Sequence, residues 1–427
     1  MRARLTAQNP LFKIAIVGPL PWGSSGHDKR KHPVNNHGHF EPAWRAVERD
    51  ATSGHGRFDL SGVLAYDTGR TSDERSSALI GRLASEFWGS IMPGRLAVSL
   101  LLVARSFGWL LALYLVAPST SGADDAAGSF RAIRFAQNPI IHPRMPGWTG
   151  DDGANINGPS LIRVPDWVEK PLGRYYLYFA HHGGKYIRLA YADALEGPWK
   201  LLPGGVLGLA DAPGVGHIAS PDVHVDAESR RIRMYFHQPA PKGSPIPGQV
   251  SFVALSDDGL HFTARPEVLG KFYFRVFRHG GWHYAFAKNG NIDGVIYRSR
   301  DGLTGFEEGP HYVPGVRHTA MWLEHDTLYL LYTKVGDVPE RILLSTIDLS
   351  GDWMSWKVSE PRVLLEPEKD YEGASLPLSP SRYGAARGPV RQLRDPAVFA
   401  EEGRRYLLYS VAGEQGIALA RLVPDGS

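Results

Sequence analysis

The sequence RDPAVF at residues 394–399, followed across a short polar turn by YLLYS at residues 406–410, decides the fold of this chain. An acidic residue stands at the start of a strand, and an aromatic-rich partner strand returns beside it. Looser copies of this unit precede it, beginning near residues 157, 220, 274 and 317. One such antiparallel sheet cannot bury both of its faces, whereas five sheets packed radially bury each other and leave only short edges. The repeat therefore predicts an all-β chain that folds as a five-bladed β-propeller.

A recurring turn closes the units and supports this prediction. Residues 256–262 read SDDGLHF, and residues 299–306 read SRDGLTGF. Asp-Gly at this place makes a tight turn, and the aromatic residue after it can pack against the sheet. A β-sandwich is the rival architecture, but it accounts for neither the repeat nor the turn.

Composition limits the function classes. Glycine (48) and proline (32) are plentiful among the 427 residues, which favours many turns and short strands. The chain has no cysteine, so disulfides, metal–thiolate sites and cysteine nucleophiles are excluded. The formal charge is +3, and no basic run with interleaved aromatic residues indicates a nucleic-acid partner.

The N-terminal part of the chain differs from the repeats. Residues 1–91 mix glycine, arginine, histidine and serine without sustained periodicity. We interpret them as a low-order extension, and the presence of Met92 suggests the hypothesis of an over-extended gene start. The propeller is then expected at residues 128–427.

Residues 92–127 are interpreted as a signal peptide or membrane anchor followed by a linker. A positive start precedes apolar runs at residues 96–104 and 107–117, and small residues follow, as at a signal-peptidase site. Arg105 interrupts the apolar run, and a single anchor helix is the alternative. We expect a secreted or periplasmic protein, or an extracellular one attached to the membrane only through this segment.

The innermost strands of a propeller begin at its central channel, so the first residues of the five units define the candidate site. Carboxylates, arginines, a histidine and an amide stand there: Asn157, Asp222, Arg275, Arg317, His318, Arg394 and Asp395. Converging carboxylates suit glycoside hydrolysis, in which one activates water or attacks the sugar and another protonates the leaving oxygen. The competing interpretation is structural, because an aspartate before proline forms turns and Arg394 can be its ion-pair partner.

The RDP strand start, the EGPW ending at residues 196–199 and the Asp-Gly turns resemble glycoside hydrolase family 43 and the related five-bladed arabinanases, xylosidases and fructosidases. The resemblance covers roughly residues 130–425. It implies hydrolysis of polysaccharide or oligosaccharide fragments by an aspartate base, an orienting aspartate and a glutamate acid. Carried over, it makes Asp395 the base, Asp222 the orienting carboxylate and Glu372 the acid, with inversion by a directly attacking water. Glu372 lies in a proline- and serine-rich insertion that can fold over the pocket, and Glu308 is the competing acid.

The sequence also departs from the family pattern. Asn157 and Gly158 stand where the family has its first-blade base, which keeps a non-catalytic carbohydrate-binding propeller open as an alternative. The arginines at three strand starts keep a sialidase-like enzyme open as well.

Substrate binding is expected from five of the strand-start residues: Asn157, Arg275, Arg317, His318 and Arg394. No cofactor is expected to be required, and no metal ligands are assigned. The resemblance is compatible with a structural calcium or other ion in the central channel, which His318 would help to hold through water.

Overall fold

The aromatic and β-branched runs of the repeats form strands, and each repeat makes one antiparallel sheet. The computed structural model describes residues 129–426. Five sheets follow one another in this range, which confirms the five-bladed β-propeller. The extension at residues 1–91 and the signal or anchor segment at residues 92–127 lie outside the described residues. Within the described range, no helix has the length and apolar character needed to span a membrane.

The blades follow the chain, except that strand β1 (Phe130–Arg134) comes first but completes the last blade. The first blade contains β2 (Asn157–Arg163), β3 (Tyr175–Ala180), β4 (Tyr186–Ala192) and β5 (Lys200–Gly208). The second contains β6 (Ala219–Asp226), β7 (Arg231–Pro239), β8 (Gln249–Ser256), β9 (Thr263–Ala264) and β10 (Gly270–Lys271).

The third blade contains β11 (Arg275–His279), β12 (Trp282–Asn289), β13 (Asp293–Ser299) and β14 (Glu307–Tyr312). The fourth contains β15 (Val316–Glu324), β16 (Thr327–Lys334), β17 (Ile342–Asp348) and β18 (Arg362–Leu365). The fifth contains β19 (Arg394–Glu401), β20 (Arg404–Ser410), β21 (Ile417–Pro424) and β1. Short 3-10 helices occupy Asp152–Ala154, Leu209–Asp211, Trp353–Ser355 and Asp370–Glu372.

The ring is closed by pairing between the two ends of the described chain. β1 runs antiparallel to β21, from Phe130 opposite Pro424 to Arg134 opposite Ala420. Because the first and last strands share one sheet, separating the ends would break backbone hydrogen bonds of the fifth blade.

Aromatic side chains fill the spaces between neighbouring blades. Phe130 of the fifth blade meets Trp322 and Tyr329 of the fourth edge-on, with ring centroids 5.3 and 5.4 Å apart. Tyr175 of the first blade meets Phe399 of the fifth at 6.0 Å. These contacts bury large apolar surfaces in favourable aromatic geometry, so the blades stabilise one another.

The Asp-Gly turns of the sequence connect each blade to the one before it. The Tyr178 hydroxyl of the first blade donates to the Gly259 carbonyl at 2.9 Å, and Tyr235 of the second donates to the Gly302 carbonyl at 2.8 Å. Both glycines have positive φ, of +75° and +69°, and a Cβ at Gly259 would lie 2.7 Å from the Tyr178 hydroxyl. Glycine is therefore required for the turn and for the close approach of the tyrosine.

Candidate functional site

Three innermost strands start with the same irregularity, and it builds the candidate site. Gly158, Ser220 and Asp395 each precede a proline, and their φ angles are +61°, +53° and +45°. The pairing of the first two strands of each blade shifts register at these places, as in a β-bulge. Positive φ is unfavourable for residues other than glycine, so Ser220 and Asp395 are held in strained backbone, a feature that concentrates at functional sites.

The bulges open on a cavity of about 220 Å³. Its ionisable lining residues come from or beside all five blades: His182, His217, His237, Tyr273, Lys288, Arg317, His318, Asp395 and Glu414. Tyr383 and Gly384 also line it, and they belong to the insertion between β18 and β19. This insertion therefore covers the cavity, as the sequence suggested.

Asp395 presents its carboxylate to the cavity. Only 4 % of the residue is exposed. The Tyr273 hydroxyl donates to Oδ1 at 2.9 Å, and Nε2 of His318 lies 3.5 Å from the same oxygen. Asp395 thus combines a strained backbone with a carboxylate oriented by a neighbouring hydroxyl.

His318 is oriented by a chain of hydrogen bonds behind it. Its Nδ1 lies 2.9 Å from the Thr333 hydroxyl, which donates to Oε1 of Glu340 at 2.8 Å. Because that hydroxyl gives its proton to the glutamate, it accepts one from Nδ1 of the histidine. Burial lowers the pKa of His318, and Nε2 is the ring nitrogen that faces Asp395.

Glu340 is the buried centre of this network, with no exposed surface. Arg317 and Arg394 donate to its Oε2 at 2.7 and 3.0 Å, and the Ser381 hydroxyl donates to the same oxygen at 2.8 Å. Burial alone would raise its pKa, but the nearby His318, whose Nδ1 lies 3.4 Å from Oε1, and the two arginine charges outweigh burial and lower the pKa to about 2. Glu340 is therefore a structural anion that holds the two arginines.

Glu414 is a second buried anion, at the wall of the cavity. It accepts from Arg394 at 2.7 Å and from the amide of Asn155, and His182 lies 3.6 Å away. Burial opposes ionisation, but the interactions with His182 and Arg394 lower the pKa to about 2. Like Glu340, Glu414 is ionised at neutral pH and cannot act as a proton donor.

The structure places Glu372 away from the cavity. Its carboxylate is fully buried and accepts from Arg134 of β1 at 2.7 Å and from the Tyr409 hydroxyl at 2.8 Å. Backbone N–H groups of Glu368 and Lys369 also donate hydrogen bonds to this carboxylate. The expectation that Glu372 faces the substrate is corrected on this ground, because Arg134 and Tyr409 of the fifth blade hold its carboxylate.

Asp222 also lies outside the cavity. It stands two residues after the bulge, opposite Tyr235, where the fifth blade has Ala397. There it lines a separate opening of about 640 Å³. Its carboxylate is bonded to His224 Nε2 and to the Val276 amide, both at 2.8 Å. The expected grouping of Asp222 with Asp395 in one site is corrected, since Ser220 occupies the position equivalent to Asp395.

The predicted substrate-binding residues divide between the cavity and its surroundings. Asn157, Arg317 and His318 line the cavity. Arg394 lies behind it, held by Glu340 and Glu414. Arg275 lines the separate opening instead and donates to backbone carbonyls of Thr319 and Ser220 at 3.1 Å.

These contacts bear on the sialidase-like alternative. Glu340 and Glu414 pair with Arg317 and Arg394, and carbonyl groups occupy Arg275. The three arginines therefore do not form a free cluster for a substrate carboxylate. Glu308, the competing acid, lies on the outer strand β14 and pairs with Lys271 at 2.6 Å.

Several cavity residues were not found from the sequence. Tyr273 has a positive φ, +68°, as the bulge residues do, but no proline follows it and it lies before strand β11. Lys288 is the penultimate residue of β12, whose sequence resembles that of an ordinary core strand. Glu340, in the network behind the cavity, lies in the connection between β16 and β17, and its arginine partners are 23 and 54 residues away.

Within residues 129–426, no group of three or more histidine, aspartate or glutamate side chains is placed to hold a metal ion. The structural ion considered for the central channel stays an expectation from the sequence.

No protein-family model matches the chain. The uncharacterized protein R118 of Acanthamoeba polyphaga mimivirus is similar to it, with 37 % identity over 331 aligned positions that cover 69 % of this chain and 91 % of the relative.

Solved structures of glycoside hydrolases share the fold at low identity. A GH130 glycoside hydrolase that targets β-1,2 mannosidic linkages in Candida mannan has a TM-score of 0.50 and 13 % identity, covering 70 % of this chain and 96 % of its own. A thermostable family-43 glycoside hydrolase has a TM-score of 0.44 and 14 % identity, covering 64 % of this chain and 91 % of its own. At 13 % identity the likeness to the first of these structures concerns the fold alone.

Proposed function

Because this chain belongs to the same family as the mimivirus protein R118, whose name states no activity, we propose a function from the cavity itself. The propeller binds the terminal sugar of a glycoside there and hydrolyses the glycosidic bond with Asp395 as the base. The observation that carries the proposal is the oriented Asp395 carboxylate, held by Tyr273 at 2.9 Å. Among the described residues, no lysine or arginine lies within 4.0 Å of this carboxylate, so no ion pair competes with a reacting water.

The size of the cavity supports a small ligand. Its volume of about 220 Å³ is below the roughly 300 Å³ at which pockets for larger ligands begin. Tyr383 and Gly384 of the insertion restrict it further. One sugar unit at the end of a chain fits this space better than an internal stretch of polysaccharide, which favours exo action.

The proposed reaction uses one water molecule. Asp395 takes a proton from the water, the water oxygen bonds to the anomeric carbon, and the glycosidic bond breaks with its electron pair on the leaving oxygen. Glu340 and Glu414 cannot protonate that oxygen, because their pKa values are about 2. The proton then comes from solvent, so aryl glycosides, whose leaving groups are acidic, are expected to react faster than alkyl glycosides.

A non-catalytic carbohydrate-binding propeller is the second candidate. It is favoured by one observation: both glutamates of the network are locked in ion pairs with arginines, so the described cavity lacks the carboxylic acid of the two-carboxylate mechanism. Such a protein would bind sugars in the cavity but release them unchanged.

The proposed location of the protein outside the cytoplasm depends on the N-terminal segment. A signal peptide or anchor at residues 92–127 would carry the propeller out of the cytoplasm to polysaccharide fragments. N-terminal sequencing of the exported product tests this proposal, and a product that begins at Met1 contradicts the over-extended gene start.

Turnover of aryl arabinosides, xylosides and sialosides tests the proposed function. We expect the wild type to hydrolyse at least one of these classes and Asp395→Asn to lose this activity while it still binds the sugar. Asp222→Asn is the matched control, because Asp222 is a partly buried carboxylate of the separate opening, and we expect it to retain turnover. Sugar binding without turnover in the wild type would favour the non-catalytic alternative.

A further inference from the structure

Lys288 is a buried cation at the wall of the cavity. It belongs to β12, and only 7 % of the residue is exposed. Its backbone N–H donates to the Phe272 carbonyl at 2.8 Å, which fixes the main chain and directs the side chain into the cavity that it lines.

The ammonium of Lys288 has no ionic partner in the described chain, where no carboxylate lies within 4.0 Å of it. Its neighbours are the faces of Phe272 and Tyr273, with ring centroids at 4.9 and 5.9 Å. Cation–π contacts offset only part of the cost of taking an ammonium out of water. Burial, reinforced by the charge of Arg317, outweighs the attraction of the more distant Asp395 and Glu340 and lowers the pKa of Lys288 to about 8, so the group is still mostly charged at neutral pH.

Charge is distributed unequally around the cavity. The described lining residues from the second and third blades include Lys288, His217 and His237 but no aspartate or glutamate. Both carboxylates of the lining, Asp395 and Glu414, come from the fifth blade. Burial lowers the pKa of His217 and of His237, so these rings add no charge at pH 7. Nε2 of His217 donates to the Gln249 side-chain oxygen at 3.0 Å, whereas Nδ1 of His237 is buried without a hydrogen-bond partner in the described chain.

We infer that the wall around Lys288 binds an oxyanion, a carboxylate or phosphate group carried by the ligand. A buried ammonium without an ion pair, beside the unpartnered Nδ1 of His237, is complementary to such a group. The carboxylates of Asp395 and Glu414 repel such a group, so the anion binds beside Lys288 and orients the rest of the ligand in the cavity. This inference rests on the proposed function only in taking the ligand to be a glycoside.

Calorimetric binding tests the inference with D-glucuronate and inorganic phosphate as the charged probes and D-glucose as the neutral one. We expect the wild type to bind at least one charged probe more tightly than glucose by about tenfold or more. Binding of glucuronate alone identifies a sugar carboxylate, and binding of phosphate alone identifies a phosphate group. Affinity for glucose equal to that for both charged probes would overturn the inference.

Variants connect the binding to Lys288. Lys288→Met is expected to lose the preference for anions, and Lys288→Arg to retain part of it. Lys271→Met is the control, because Lys271 pairs with Glu308 at 2.6 Å outside the cavity, and its anion binding should match the wild type. Unchanged anion affinity in Lys288→Met would overturn the inference.

Thermal unfolding without ligand separates binding from a structural role. Replacing an unpaired buried ammonium by a methionine removes a desolvation cost, so the Tm of Lys288→Met should equal or exceed that of the wild type. A clearly lower Tm would show that Lys288 supports the fold instead.

Failure of this inference and failure of the proposed function give different results. Hydrolysis of neutral glycosides without anion binding would contradict only the inferred anion site. Anion binding without hydrolysis of any glycoside, charged or neutral, would contradict only the proposed enzyme activity.

Discussion

Replacement of Glu340 by glutamine should destabilise the propeller strongly, because Arg317 and Arg394 would lose their shared counter-ion. The pKa of Glu340 falls from 4.5 to about 2 in the folded protein. At about 1.36 kcal/mol per pKa unit, this difference corresponds to roughly 3 kcal/mol of stability at neutral pH. Removing one member of a buried ion pair typically costs about 3–5 kcal/mol, which agrees with that value.

The sign of the pH dependence follows from the lowered pKa. A carboxylate whose pKa is depressed by folding stabilises the folded state above pH 4.5. That contribution is lost as the pH falls from 4.5 to about 2. The glutamine variant has no such group, so the difference between wild type and Glu340→Gln should shrink in acid. At a pH one unit below the unfolded pKa, it should be smaller by about 1 kcal/mol.

Urea unfolding followed by tryptophan fluorescence measures this difference at neutral and acidic pH. Glu307→Gln is the matched control, because Glu307 pairs with Arg298 at 3.0 Å on the surface with 58 % of its side chain exposed. Surface pairs contribute at most about 1 kcal/mol. A loss below about 1 kcal/mol for Glu340→Gln at neutral pH, or a loss that does not change with pH, would refute the reasoning.

Three further substitutions test the ring closure, the insertion and the cavity. Phe130→Ala removes the ring that meets Trp322 of the neighbouring blade and should cost about 3–5 kcal/mol in urea unfolding; a loss under about 1 kcal/mol would contradict its role in closure. Glu372→Gln should lower the free energy of unfolding by about 3 kcal/mol but leave turnover per folded molecule unchanged. A loss of kcat without a loss of stability would show that Glu372 takes part in catalysis after all. Tyr273→Phe removes the hydroxyl that orients Asp395 and should lower kcat/KM about tenfold; an unchanged kcat/KM would mean that this hydrogen bond does not serve catalysis.

The fold follows from local patterns that the sequence repeats. The strand starts, the aromatic partner strands and the Asp-Gly turns each act over a few residues, so they can be recognised without tertiary information. The turns also show why a pattern repeats: Tyr178 and Tyr235 bind the turn of the next blade in the same way.

The candidate site was less predictable, because it depends on contacts between distant parts of the chain. The sequence around Glu372 resembles that of a catalytic acid, but Arg134 of the fifth blade, 238 residues away, binds its carboxylate. Asp222 follows a proline, as the family motif does not, and the bulge before it moves it out of the cavity. The shared backbone conformation of Gly158, Ser220 and Asp395 shows that the aspartate of the fifth blade, and not Asp222, stands at the cavity.

Asp395 is the position where the sequence motif, the strained backbone and the cavity coincide, and its substitution by asparagine is the most direct test. Asparagine tolerates positive φ and nearly preserves the shape of the side chain, so folding should be retained. We expect kcat/KM on the best aryl glycoside to fall by about 10²- to 10⁴-fold, as for loss of a general base, with sugar affinity and Tm close to the wild type. Unchanged turnover in Asp395→Asn would contradict the account.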